Sequence, residues 1–154
     1  MIAIIPVPVA LESGYRRFLH ALAAEGFKGE ITSQYADRTV LATDNSIYQR
    51  LPQAVVFPRD AADVETIARL LARPEHRRVA VYPRGGGTGT NGQSLTDGIA
   101  VDLSRHLNQI LWIDPVRRVA RVQAGVVKDQ LNAALKAYGL FFAPELSTSN
   151  RATI

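Results

Sequence analysis

In Pro83-Arg84-Gly85-Gly86-Gly87-Thr88-Gly89-Thr90-Asn91-Gly92, five of the eight residues from Gly85 onward are glycine. A backbone so bare takes positive φ freely and lets a ligand come close to its amides. Successive N–H groups can then converge on one point, and such a concavity binds anions, phosphates above all. Thr88, Thr90 and Ser94 add hydroxyl donors. Arg84 adds a full charge and a fork of N–H groups, so neutralising phosphate charge is its expected role. A merely flexible connection is the alternative, but it leaves the entropy that these glycines lose on folding without compensation.

Two familiar phosphate motifs share part of this spelling. Gly87-Thr88-Gly89-Thr90-Asn91-Gly92 is literally G-x-G-x-x-G, the dinucleotide fingerprint, yet that fingerprint must run straight into a helix. Here Gln93-Ser94-Leu95-Thr96-Asp97-Gly98 leads instead to the apolar run Ile99-Ala100-Val101-Asp102-Leu103. A Walker A reading fails because Gln93 stands where the lysine should be.

Upstream, Ala54-Val55-Val56-Phe57-Pro58 reads as a buried strand, Asp60 opens a helix with Val64, Ile67, Ala68 and Leu71 on its buried face, and Pro74 ends it. Val79-Ala80-Val81-Tyr82 is the next strand, giving a β-α-β unit with a parallel pair from which the glycine loop departs. Earlier still, Leu11, Tyr15, Phe18, Leu19 and Leu22 fall at helical spacing before Gly26, and Tyr35 to Tyr48 reads as loop with short helical pieces. Downstream, Ile110-Leu111-Trp112-Ile113 and Val119-Ala120-Arg121-Val122 form a hairpin around Asp114-Pro115, and these strands are expected to join the same sheet. Val127, Leu131, Leu135 and Tyr138 mark a last helix that ends at Gly139. The predicted order is α-β-α-β-β-β-β-α, an α+β chain.

Composition narrows the chemistry. Close to half of the 154 residues are apolar, and none is cysteine, so disulfides, thiolate nucleophiles and cysteine-ligated metals are excluded within the chain. Any redox chemistry must come from a bound cofactor. The net charge of +4 comes from dispersed arginines, without the basic stripe and interleaved aromatics of a nucleic-acid footprint. No run approaches the length of a membrane span, and Met1-Ile2-Ala3-Ile4-Ile5-Pro6 lacks the basic start of a secretory signal, so a soluble cytoplasmic protein is expected. His20, His76 and His106 are read as surface or capping residues, and Tyr82 and Trp112 as core or strand-edge aromatics. Asp37, Asp44 and Asp102 receive no catalytic role, and no catalytic or metal-binding residue is assigned in this segment.

The loop, taken with its flanks, resembles the FAD-linked oxidases of the p-cresol methylhydroxylase and vanillyl-alcohol oxidase type. In those proteins an R-G-G-G-T/N/H loop after a strand cradles the FAD pyrophosphate, and Tyr82-Pro83-Arg84-Gly85-Gly86-Gly87-Thr88-Gly89 stands in that place. Pro52 to Pro58 followed by Asp63-Val64 is similar to the family's entry strand and helix. Ala143-Pro144-Glu145-Leu146-Ser147-Thr148-Ser149-Asn150-Arg151-Ala152-Thr153-Ile154 resembles its second flavin-contacting segment, which in the family runs on into Gly-Gly. The likeness extends from about Tyr35 onward. Within the family, Ser33-Gln34-Tyr35-Ala36-Asp37-Arg38 and Thr43-Asp44-Asn45-Ser46-Ile47-Tyr48 are similar to the D-2-hydroxyglutarate and D-lactate dehydrogenase branch, some bacterial members of which carry a C-terminal iron–sulfur region.

This resemblance implies an α+β fold consisting of an N-terminal helical segment (1–34) and the N-terminal subdomain of the family's FAD-binding domain (35–154), with the second subdomain absent and the chain truncated. It implies a flavin-dependent oxidoreductase that moves hydride from a small 2-hydroxy acid to FAD, the substrate residues lying outside this segment. The cofactor contacts it implies are Pro83, Arg84, Gly85, Gly86, Gly87, Thr88, Gly89, Thr90, Asn91 and Gly92, with Pro144, Ser147 and Ser149. Because Thr88 follows the triple glycine and cysteine is lacking, noncovalent FAD is expected. Two other readings stay open: the FAD domain of an enolpyruvyl-UDP-N-acetylglucosamine reductase-like enzyme, and a phosphate- or nucleotide-binding module without redox chemistry.

Overall fold

A computed structural model describes residues 10–154. The opening Met1 to Pro6, considered above for targeting, lies outside the described residues. β2 (Ala54–Phe57) is buried along its whole length, as suits an apolar run covered on both faces. Its alternation divides the core in two. Ala54 and Val56 meet Phe18, Leu22, Leu70 and Ile99 on one face, whereas Val55 and Phe57 meet Ala100 and the partly buried Leu41 on the other.

Three strands complete this sheet, in the order β1-β2-β4-β3. β4 (Ile99–Asp102) runs parallel to both β2 and β3 (Val81–Arg84), and β1 (Glu30–Thr32) pairs antiparallel with β2 at the other edge. The expected parallel pair is therefore corrected: β2 and β3 share a direction but β4 lies between them. Burial explains the insertion. β4 is buried at every position, while β3 exposes Tyr82 and Pro83, and proline, lacking an N–H, belongs on a sheet edge. β3 also begins two residues later than its apolar run suggests, so Pro83 and Arg84 belong to the strand and the loop begins at Gly85. The three-residue β1 carried no legible period.

Helices cover the sheet. α1 (Ser13–Ala24) buries Phe18, Leu19 and Leu22. It ends as its sequence predicts, with Gly26 at φ +79° and the Phe27 and Gly26 amides donating back to the Leu22 and Ala23 carbonyls. α2 (Tyr35–Val40) is the helical piece within the 35–48 stretch. α3 (Ala61–Leu71) is capped by Asp60, whose side chain accepts from the Asp63 amide at 3.0 Å. Its buried face is Asp63, Ile67 and Leu70, which corrects the predicted stripe: Val64 and Ala68 face outward. A carboxylate decides the rotation. Asp63 turns inward to accept the amides of Lys28 (2.9 Å) and Arg59 (2.8 Å), tying the start of β1's approach to this helix.

β5 (Ile110–Asp114) and β6 (Val119–Val122) do form the predicted hairpin, with the Asp114 carboxylate accepting the Val116 and Arg117 amides in its turn. They do not join the main sheet. Mostly exposed, they pack Ile110, Ile113 and Val122 against Val126, Leu131 and Leu135, the last two on α4 (Lys128–Leu135), as a second small core. α4 relaxes into a 3-10 turn over Lys136–Tyr138 and closes at Gly139 with φ +66°. His76 corrects its surface assignment: a 3-10 turn at Pro74–His76 folds the ring beneath α1, where it is 5% exposed and edge-on to Phe18 at 5.3 Å. His106 pairs with Glu30 and His20 is exposed. Tyr82 and Trp112 are exposed edge-strand aromatics.

Candidate functional site

Arg84 and Asp102 are register partners at the carboxyl ends of the parallel strands β3 and β4. Beyond them opens a cleft of ≈450 Å³ whose walls include Gly85, Gly86, Ser104, Asn108, Gln130 and Arg151. Crevices outside the carboxyl ends of parallel strands are where open α/β sheets bind ligands, and the volume lies within the roughly 300–1,000 Å³ of small-molecule sites.

Each wall has a local cause. After β4, the Asp102 carboxylate accepts the Ser104 amide (2.8 Å), the Ser104 hydroxyl (2.7 Å) and the Arg105 amide (3.2 Å), which turns the chain sharply and leaves Ser104 at the cleft. That turn lies against Gly125, where a Cβ would stand 2.7 Å from Ser104 Cα. On the far side, the first amides of α4, which have no partner within the helix, are satisfied by the C-terminal segment: Lys128 N–H donates to the Ala152 carbonyl (2.9 Å) and Asp129 N–H to the Ser149 carbonyl (3.2 Å). Ile154 N–H donates to the Val126 carbonyl at 3.0 Å, so residues 149–154 are stitched beside the glycine loop.

The glycine loop rests on that segment. A Cβ on Gly85 would overlap the Thr153 hydroxyl, and one on Gly86 would overlap the Arg151 carbonyl. Their bareness thus answers first to the chain's own close approach. Gly87 and Gly92 need glycine for another reason, φ of +64° and +73°. From behind, the Asn45 amide donates to the Gly87 carbonyl (3.1 Å), and the Asp44 carboxylate accepts the Ser46 amide (2.8 Å) and the Ser94 hydroxyl (2.9 Å). Burial tends to raise the Asp44 carboxyl, but these bonds and the nearby Arg84 charge outweigh it and hold it below its ordinary value. Among the described residues, no protein acceptor takes the N–H of any residue from Gly85 to Thr90. After Gln93-Ser94 the chain turns into β4, not into a helix.

Arg84, 7% exposed, sits under this loop and not across it. Its guanidinium donates to the Leu41 carbonyl (3.3 Å) and the Thr43 carbonyl (2.7 Å), and a Cβ on Gly87 would stand 2.5 Å from one of its nitrogens. Burial pushes its pKa down, Asp102 and Asp44 oppose that, and Arg151 adds to it. The guanidinium stays charged, since arginine does not deprotonate in proteins.

Of the residues singled out from sequence, Arg84, Gly85 and Gly86 reach the cleft. Asn91 and Gly92 face a smaller hollow beside Tyr48 and Arg50, and Pro83 is exposed on β3. Thr88, Gly89 and Thr90 form the arch between them. Pro144 and Ser147 are exposed, Ser149 serves α4 through its carbonyl, and none of these three lines the cleft. From their segment it is Asn150, Arg151 and Thr153 that do. Sequence reasoning also passed over Ser104, Asn108, Gly125 and Gln130; the usable signal was Asp102-Leu103-Ser104 at the carboxyl end of a buried strand. Among the described residues there is no grouping of His, Cys, Asp and Glu that could hold a metal, and no helix is long and apolar enough to cross a membrane.

The resemblance to known proteins follows this geometry. The chain is 68% identical over 146 residues to D-2-hydroxyglutarate dehydrogenase of Pseudomonas putida, covering 95% of this chain and 14% of that protein. It therefore spans about one-seventh of the length of that relative. Its backbone follows alkyldihydroxyacetonephosphate synthase with a TM-score of 0.78 at 21% identity, over 97% of this chain and 29% of the other. It follows p-cresol methylhydroxylase with a TM-score of 0.65 at 16% identity, over 85% and 26%. At such identities these two likenesses establish the fold alone. The family described as FAD binding domain matches residues 52–154, a span that holds the glycine loop, the Asp102 turn and the C-terminal wall of the cleft, and this chain belongs to that family.

Proposed function

We propose that this chain is the FAD-binding portion of a flavin-dependent dehydrogenase that oxidises a D-2-hydroxy acid of the 2-hydroxyglutarate or lactate class. The observation that carries the reading is the arch of free amides from Gly85 to Thr90 beside a polar cleft, in a chain 68% identical to a D-2-hydroxyglutarate dehydrogenase. Fixed donors suit the oxygens of a diphosphate because they need no reorganisation when the anion arrives. The cofactor-site residues proposed are Pro83 to Gly92, with Arg84 acting from beneath the loop, together with Pro144, Ser147 and Ser149 of the C-terminal segment. When bound, the flavin supplies the hydride-accepting chemistry, and this chain binds and orients it.

The FAD is proposed to be noncovalent. Thr88 follows the triple glycine, the chain has no cysteine, and neither His20, His76 nor His106 lines the cleft. Groups that handle the hydroxy acid, and the ligands of an iron–sulfur region if the whole protein has one, would come from outside these residues. Residues 35–154 hold both proposed flavin segments, and 1–34 brings α1 to the core of the same sheet. A cytoplasmic location belongs to the same proposal, motivated by the sequence, where no apolar run reaches membrane-span length and the opening residues lack a basic start.

The test is anaerobic mixing of the purified full-length protein with D-2-hydroxyglutarate, D-lactate or NADPH while flavin absorbance is followed. Bleaching by a D-2-hydroxy acid is expected. Bleaching by NADPH alone would move the assignment to the nucleotide-sugar reductases. A colourless protein that prefers ATP or RNA to FAD would refute the flavin reading.

A further inference from the structure

Two arginines stand at the cleft, and they are not equivalent. Arg84 is buried and donates one N–H from each terminal nitrogen to the Leu41 and Thr43 carbonyls, with Asp102 and Asp44 nearby to balance its charge. Arg151 is exposed and, among the described residues, makes no ion pair and no side-chain hydrogen bond. Its main chain is nevertheless held firmly. Its amide donates to the Thr148 carbonyl at 2.9 Å, its own carbonyl lies against Gly86, and the next residue's carbonyl caps α4. An uncommitted guanidinium is thus carried on a fixed backbone, in the lining of the same cleft as Gly85 and Gly86.

Both cations line one cleft, and Arg151 adds to the burial that lowers the Arg84 pKa, against the larger opposing effect of Asp102 and Asp44. Arg84 has carboxylates to balance it and Arg151 has none among the described residues, so an anion entering the cleft finds its unpaired cation at Arg151. Resting on the FAD reading above, we propose that Arg151 is the residue of this chain that pairs directly with the diphosphate of the flavin nucleotide, while Arg84 acts through the loop as a positioning residue. The planar fork of Arg151 suits two oxygens of one phosphate, as a lysine would not.

The test uses full-length protein stripped of flavin, with FAD affinity measured by fluorescence quenching across a range of salt concentrations. Arg151→Gln is expected to weaken FAD binding about tenfold at low salt and to flatten its salt dependence, because a screened charge pair has been removed. Arg151→Lys should recover the salt dependence but only part of the affinity. Arg17→Gln, which removes an equal charge from α1, should leave both unchanged. Among the described residues Arg151 has no side-chain hydrogen bond or ion pair to lose, so a change confined to stability is not expected. If Arg151→Gln binds FAD with the wild-type affinity and salt slope, or if Arg17→Gln flattens the slope equally, the inference falls while the FAD reading stands. If unmodified apoprotein does not bind FAD at all, the FAD reading falls and takes this inference with it.

Discussion

Replacing Gly86 with alanine separates what the loop's bareness does for the chain from what it does for a ligand. The added Cβ would overlap the Arg151 carbonyl oxygen and stand 2.9 Å from its carbon, where ordinary contact begins at 3.4 Å. Both atoms are main chain and cannot rotate away, so residues 149–154 must retreat by at least about 0.5 Å. Three hydrogen bonds hold that segment: Lys128 to Ala152 at 2.9 Å, Asp129 to Ser149 at 3.2 Å and Ile154 to Val126 at 3.0 Å. The retreat stretches all of them toward or past the limit of a useful bond. At about 1 kcal/mol net for each, local stability falls by up to roughly 3 kcal/mol, which is about a hundredfold in the opening equilibrium. Amide hydrogen exchange of the FAD-free full-length protein reads this directly, since it reports local opening without requiring two-state unfolding. Protection should drop by about ten- to a hundredfold at Lys128, Asp129 and Ile154. Unchanged protection there, combined with lost FAD affinity, would show that Gly86 is bare for the ligand's sake and would refute the packing argument.

Other substitutions probe the supports of the cleft. Arg84→Lys keeps the charge but cannot reach both the Leu41 and Thr43 carbonyls, so the loop should loosen; loss of exchange protection at Asn45, which donates to Gly87, together with roughly tenfold weaker FAD binding is expected. The Asp44 carboxyl sits below its ordinary 3.8, so its contribution is fully present above that pH and is lost as pH falls through the lower folded value. FAD retention should therefore decline below about pH 4, and Asp44→Asn should weaken retention at neutral pH and remove this part of the acid dependence, as followed by released flavin fluorescence. Asp63→Ala removes the acceptor of the part-buried Lys28 and Arg59 amides and the N-terminal turn of α3 that it anchors, and should cost about 1–2 kcal/mol, visible as a lowered urea midpoint.

The local sequence settled most of the elements and singled out the loop. Glycine density at 85–92, with a strand on either side and no helix following, is the pattern from which an anion cradle is proposed, and the flanking stretches carried the likeness to the FAD-linked oxidases. Helix ends at Gly26 and Gly139 and the cap at Asp60 were equally legible, because each depends on residues within one turn. Tertiary structure decided what depends on partners distant in the chain. Strand order turned on which strand could be buried on both faces, and so β4 took the place between β2 and β3 that adjacency in sequence had given to neither. The helical face of α3 was set by two backbone amides seeking the Asp63 carboxylate, an attraction that hydrophobic periodicity does not record. The division of labour between Arg84 and Arg151 was likewise hidden. Both are arginines near glycines, and only the packed chain shows that one is buried and bonded to carbonyl oxygens while the other is exposed and, among the described residues, has no side-chain partner.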